Sequence, residues 1–211
     1  MEATVEDLFL AGSETTATTL RWCAVLMLEH PDVQSRVQRE LDDIIGRNRL
    51  PTLADRPNLP YTEAVIQEIA RFATIAPIGA PHFTSVDTTF RGYKIPKDTM
   101  IIGNFWSISR DKKLWDDETL DEFQPERFLD ENCNSVKKPE HHIVFGSGKR
   151  ACPGEQLAKM EIYIFFTHML HQFTMKKPTG AGFNDTRGQP GAVHAPFPFE
   201  VCLEPRKMAE D

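Results

Sequence analysis

Positive charge is in short supply in this chain: 24 Lys and Arg stand against 31 Asp and Glu, a net charge of -7 over 211 residues. That deficit argues against a nucleic-acid partner, which needs a basic face to meet phosphates. Long apolar runs are missing as well. No stretch reaches the roughly 18 unbroken apolar residues of a membrane span, and the first segment does not read as a signal peptide. Cysteine is scarce, with Cys23, Cys133, Cys152 and Cys202 widely and irregularly spaced and no Cys-x-x-Cys among them. Neither a zinc site nor a secreted disulfide framework fits that spacing. Cys23, Cys133 and Cys202 are therefore expected to be free thiols in a reducing compartment. Repeats and low-complexity tracts are absent too. What remains, 40% hydrophobic and 26% charged residues, suits a single globular domain with a real core, too short for two large ones.

Periodicity predicts a mixed class, mainly α with a small β component. Val5 to Leu28 is apolar on nearly every side, which predicts a helix buried at the domain centre. Pro31 opens a second helix whose stripe, Val33, Val37, Leu41 and Ile44, ends at Gly46. A third helix starts near Pro60, with Tyr61, Ala64, Val65, Ile69 and Phe72 on one face, and should stop by about Ala76 because Pro77 follows. Short strands fit His82 to Thr84, Thr88 to Phe90, Tyr93 to Ile95 and Met100 to Asn104. Asp111 to His142 is polar and irregular, a long loop of the kind that is functional or disordered. A last helix spans about Gly154 to Phe173, and the proline-broken tail reads as loops and short strands.

Three local patterns carry chemistry. In Phe145-Gly146-Ser147-Gly148-Lys149-Arg150-Ala151-Cys152-Pro153-Gly154, glycines permit a tight backbone that a flat ligand can approach. Cys152 directly precedes the last helix, where the dipole favours a thiolate, and Arg150 offers positive charge for an anion. Glu68 and Arg71 share one face of the third helix, where a carboxylate on an apolar stripe needs a partner. In Ala11-Gly12-Ser13-Glu14-Thr15-Thr16, the Thr15 hydroxyl can bond back to the Ala11 carbonyl and loosen the helix. Glu14 beside Thr15 is an acid–alcohol pair able to relay protons, and Gly12 leaves room against the helix. His141-His142 has no standard zinc spacing with any cysteine and reads as loop.

Phe145-x-x-Gly148-x-Arg150-x-Cys152-x-Gly154 resembles the cysteine-ligand loop of the cytochrome P-450 family at every defining position. The resemblance extends over essentially all 211 residues and takes in Glu68-x-x-Arg71, Pro125-Glu126-Arg127-Phe128 and the Gly12-x-Glu14-Thr15-Thr16 helix pattern. Arg150-Ala151-Cys152-Pro153-Gly154-Glu155 and Leu59-Pro60-Tyr61-Thr62-Glu63-Ala64 are most similar to the animal microsomal branch called family two. Such enzymes are about twice as long. The resemblance thus implies one piece, residues 1–211, the carboxy-terminal haem-binding half of that fold, without the amino-terminal half and membrane anchor.

The resemblance further implies haem b (iron protoporphyrin) bound axially by Cys152, whose thiolate favours cleavage of the O–O bond. Phe145 would pack beside the sulfur, Arg150 and His82 would meet haem propionates, and Gly12 and Gly154 would border the cofactor. Thr15 and Glu14 would form the proton relay, while Glu68, Arg71 and Arg127 would be a structural network holding the cysteine loop. Ile75 to Ala80, and the turn near Ala192 and Val193, match substrate-facing segments and suit a lipophilic substrate. The implied activity is monooxygenation with NADPH electrons delivered by a flavoprotein reductase, with cytochrome b5 as a further donor. The implied location is the cytoplasmic face of the endoplasmic reticulum membrane. A haem-binding fragment without turnover, and a haem-thiolate isomerase or lyase, are the alternatives; Glu14-Thr15 weighs against the latter.

Overall fold

The computed structural model describes residues 2–207, with side chains from Val5 onward. Helix α1 (Glu2–Glu29) runs into α2 (Pro31–Ile45), where Pro31 takes the first helical position and Gly46, at φ 79°, closes the end. Val33, Val37 and Leu41 are buried as their spacing requires, while Ile44 of the same stripe lies exposed beyond the contact. Helix α3 (Pro60–Ala73) begins on a carboxylate borrowed from α2. The Glu40 oxygens each accept at 2.8 Å, from the backbone N–H groups of Tyr61 and Thr62. Those are two of the donors that every helix start leaves free, and a negative charge suits the positive end of the dipole.

Helix α3 stops at Ala73, within the limit that Pro77 sets. Thr74 enters the left-handed region at φ 40°, and its Oγ1 donates to the Arg71 carbonyl at 2.5 Å. Arg110 Nη2 donates to the Phe72 carbonyl at 2.5 Å, with its guanidinium stacked 3.4 Å above the Trp106 ring. These tertiary partners hold a β-branched residue where it is intrinsically disfavoured.

Among the described residues, three separate two-stranded antiparallel sheets follow. Strands β1 (His82–Phe83) and β4 (Met100–Ile101) pair with His82 opposite Ile101, and β2 (Thr88–Phe90) pairs with β3 (Tyr93–Ile95). After single-turn helices α4 (Phe105–Ile108) and α5 (Lys112–Trp115), the chain up to His142 has little regular structure but is well packed. Leu120, Phe123, Phe128 and Leu129 from this stretch are buried. Helix α6 (Glu155–Gln172) leads into β5 (Phe173–Lys176), which pairs with β6 (Cys202–Pro205) in the tail. The core lies where the second half of α1 meets α2, α3 and α6, around Trp22, Leu26, Ile69, Tyr163 and Phe166.

The first half of α1 departs from its expected burial. From Val5 to Glu14 every residue is exposed, Phe9 and Leu10 at 75% each. An apolar helix is buried only as far as other elements reach it, and α2, α3 and α6 reach α1 from Thr16 onward.

Candidate haem site

A cavity of about 550 Å³ opens between α1, α6 and the loop that carries Cys152. That volume falls in the range of small-molecule and cofactor sites, roughly 300 to 1,000 Å³. Thr15, Thr16 and Thr19 form the α1 wall, Ala158 and Ile162 the α6 wall, and Ile75, Ala76, Gly79 and Ala80 a third side. Cys152, Phe145 and Arg150 line the loop side, and His82 of β1 stands on the lining as well.

The loop geometry follows from its glycines. Gly146 and Gly148 adopt φ 77° and 71°, so the chain can fold back until the Cys152 N–H donates to the Phe145 carbonyl at 2.8 Å. Gly154 borders the sulfur: a Cβ there would stand 3.9 Å from Cys152 Sγ, an ordinary van der Waals contact. Cys152 is exposed and free, as are Cys133 and Cys202, whereas burial pushes the Cys23 thiol up to about 12 and leaves it inert.

On α1, the Thr15 Oγ1 donates to the Ala11 carbonyl at 2.7 Å, and Thr19 repeats the bond to Thr15 at 2.8 Å. The two sit in consecutive turns of the wall. Glu14 and Gly12 do not join them: both are exposed and outside the lining. Glu14 Oε1 accepts from the Thr18 Oγ1 at 3.1 Å, one turn along the helix. Val193 is half-buried and Ala192 exposed, and neither lines the cavity.

The ionic network is assembled in full beneath the site. Arg71 grips Glu68 with Nε at 2.7 Å and Nη2 at 2.8 Å, both side chains 0% exposed. Arg127 Nε donates to Glu68 Oε1 at 3.0 Å, and Arg71 Nη1 reaches the carbonyls of Ser109 and Leu120 at 3.0 Å each. Burial pulls the Arg127 guanidinium below its usual value, with Glu68 opposing that shift. Asp117 also pairs with Arg127, a partner the sequence pattern does not flag because it lies in an irregular stretch. The network therefore pins the long segment before the cysteine loop onto α3.

Phe105 is the main lining residue that sequence reasoning misses. Its ring lies between two glycines: an added Cβ would come within 3.0 Å of it at Gly79 and 3.1 Å at Gly103. A single-turn helix offers no periodicity to announce it. His142 is buried with its Nε2 3.0 Å from Gln67 Oε1, and no group of three or more metal-ligating side chains occurs among the described residues.

An apolar slot, a cysteine in its wall, a glycine cradle around the sulfur and cationic or imidazole groups on its lining together fit a flat, anionic iron porphyrin. Comparison with known proteins agrees. The family model for cytochrome P450 matches residues 1–203. The chain is 46% identical over 202 residues to "Cytochrome P450 2D6" of Homo sapiens, covering 96% of this chain and 40% of that protein. It is 45% identical to "Cytochrome P450 2D20" of Mesocricetus auratus and 44% to "Cytochrome P450 2U1" of Rattus norvegicus, again over 96% of this chain, and over 40% and 38% of those proteins. It thus spans about two-fifths of the length of these relatives. A match over nearly the whole chain and a cysteine loop on the wall of a porphyrin-sized cavity lead to one conclusion: the chain belongs to the cytochrome P450 family.

Proposed function

We propose that this chain is the haem-thiolate part of a monooxygenase that inserts one atom of dioxygen into a lipophilic substrate. Its cofactor is haem b, its electrons come from NADPH through a flavoprotein reductase, and cytochrome b5 is a second donor. The observation that carries this reading is Cys152 on the wall of the apolar cavity, opposite the α1 face that holds Thr15. The haem would supply the oxygen chemistry. Cys152 provides the axial sulfur, Arg150 and His82 answer the propionates, and Phe145 shields the loop side. Thr15 holds a hydroxyl at the facing wall, where it can pass protons inward. Glu14, exposed and hydrogen-bonded to Thr18 one turn along, lies outside the lining, so the proton-relay role rests on Thr15. The apolar Ile75–Ala80 wall favours a lipophilic substrate over a charged one. An isomerase or lyase has no use for a proton-bearing hydroxyl there, so monooxygenation is the better reading.

Reductase docking falls to the exposed face around Lys149. Lys159 is paired with Glu155 on α6 and contributes little free charge. The full-length protein would carry the microsomal location and the membrane attachment.

Spectroscopy of the full-length protein tests the assignment. Its reduced carbon-monoxide complex should show the red-shifted Soret band of thiolate ligation, and Cys152→His should abolish that band. An unchanged spectrum in the variant rules Cys152 out.

A further inference from the structure

His194 lies in the tail between Arg187 and Pro196, with 5% of its surface exposed. It joins three distant parts of the chain. Its Nδ1 stands 2.6 Å from the carbonyl oxygen of Ala73, the last residue of α3, and its Nε2 stands 2.8 Å from that of Arg187. The backbone N–H of His194 donates to the Ile75 carbonyl at 2.8 Å. Its own carbonyl accepts from Trp22 Nε1 of α1 at 2.9 Å. Two indoles hold the ring, with centroids 5.1 Å away for Trp22 and 5.0 Å for Trp106, the latter edge-on. The seat is tight: a Cβ on Gly188 would come within 2.4 Å of Nε2.

His194 does not line the cavity, but what it holds does. Ile75 and Ala76 begin one wall, immediately after the Ala73 carbonyl that the ring grips. Thr19, on the opposing wall, lies one turn before Trp22 on the same side of α1. The separation of the two walls therefore runs through this residue. Were His194 only a space-filler between two tryptophans, an apolar side chain of similar size would serve equally well. The ring stands between two carbonyl oxygens, and its single N–H donates to one of them, a bond that no apolar side chain can make.

We propose that His194 is a specificity-determining positioning residue: it holds the Ile75–Ala80 wall against α1 and thereby sets the size of apolar substrate that the cavity accepts. This rests on the reading of the cavity as the haem and substrate site.

The two ring nitrogens can be replaced one at a time. His194→Asn keeps a donor near the Nδ1 position, facing Ala73; His194→Gln keeps one near Nε2, facing Arg187; His194→Leu keeps neither. In the full-length haem-loaded protein, phenyl-, naphthyl- and biphenyl-imidazole are titrated and their dissociation constants read from the haem absorption. The ratio between largest and smallest ligand should shift about tenfold or more in the Leu and Gln variants and stay within about twofold in the Asn variant. Identical ratios in all four proteins, or an Asn variant as altered as Leu, overturn the proposal. Should every variant lose its haem, amide exchange in the unaltered protein decides. Protection of the His194 amide equal to that of α3 core amides supports the clamp, and exchange at the rate of an exposed loop overturns it. Absence of a thiolate–haem spectrum in the unaltered protein would refute the proposed function, and the exchange measurement would still decide whether the clamp exists.

Discussion

Glu68 is a carboxylate on the apolar face of α3, and it remains there because four donors surround it: Arg71 Nε and Nη2, Arg127 Nε and the Gln124 backbone N–H. Removing one partner of a buried ion pair costs about 3–5 kcal/mol, because the other charge is stranded without water. Glu68→Gln should therefore lower unfolding stability by about that much, read as a reduced midpoint in chemical denaturation. A loss below about 1 kcal/mol would mean the arginines find other acceptors. A second residue-scale effect concerns pH. Burial pushes the His142 imidazole down to about 3, with Lys138 and Arg71 adding repulsion, and burial also lowers His30, His141 and His171. The unfolded chain, with histidine near about 6.5, then binds protons that the folded chain refuses. Stability is full above that value and falls as pH drops toward the folded value. Denaturation midpoints should decline between about pH 7.5 and pH 5, and His142→Phe should flatten the slope. A slope unchanged by the variant would assign the loss to the other three histidines. Glu68-x-x-Arg71 was legible because its spacing is local. Asp117 and Gln124 were not, since only the fold brings them to α3.

At the scale of elements, the two halves of α1 have different fates. Trp22 to Leu28 is buried, while Val5, Leu8, Phe9 and Leu10 face water. Helical periodicity correctly predicts the helix but says nothing about how far its neighbours extend. Contiguous exposed apolar surface drives association. The 211-residue chain should therefore self-associate, and replacing Leu8 and Phe9 together by Gln should shift its light-scattering mass toward monomer. An unchanged mass would place the contact elsewhere, for instance on exposed Leu157 and Phe165 of α6. The end of α3 teaches a related lesson. Pro77 requires a stop by Ala76, and the helix breaks within that limit at Thr74, where Arg110 and His194 meet its last carbonyls. Single-turn α4 and α5 leave no periodic trace, so the segment from Asp111 to His142 reads as loop although its side chains are packed.

For the whole molecule, the cavity has its cysteine, its α1 wall and its apolar side, but the first half of α1 stands uncovered beside it. Of the groups suited to anchor haem propionates, the described lining offers Arg150 and His82. Water reaching the iron would divert reducing equivalents from product. The 211-residue chain, purified and given haem, reductase and NADPH, is thus expected to show weak haem retention and no sustained turnover. A monomer that keeps its haem through gel filtration and oxidises a lipophilic compound would refute this.

The sequence by itself determined the family, the mainly helical class, the cysteine loop and the Glu68–Arg71 pair. Each is written in residues that are close along the chain, where spacing alone dictates geometry. Only the tertiary structure decided that Thr15 lines the cavity while Glu14 stays exposed outside it, because the register of one helix against its neighbours depends on packing. It also decided that Phe105 fills the gap between Gly79 and Gly103, and that His194 bridges Ala73, Ile75 and Trp22. Those contacts join residues far apart in the chain, and no local pattern encodes which distant carbonyl a side chain will meet.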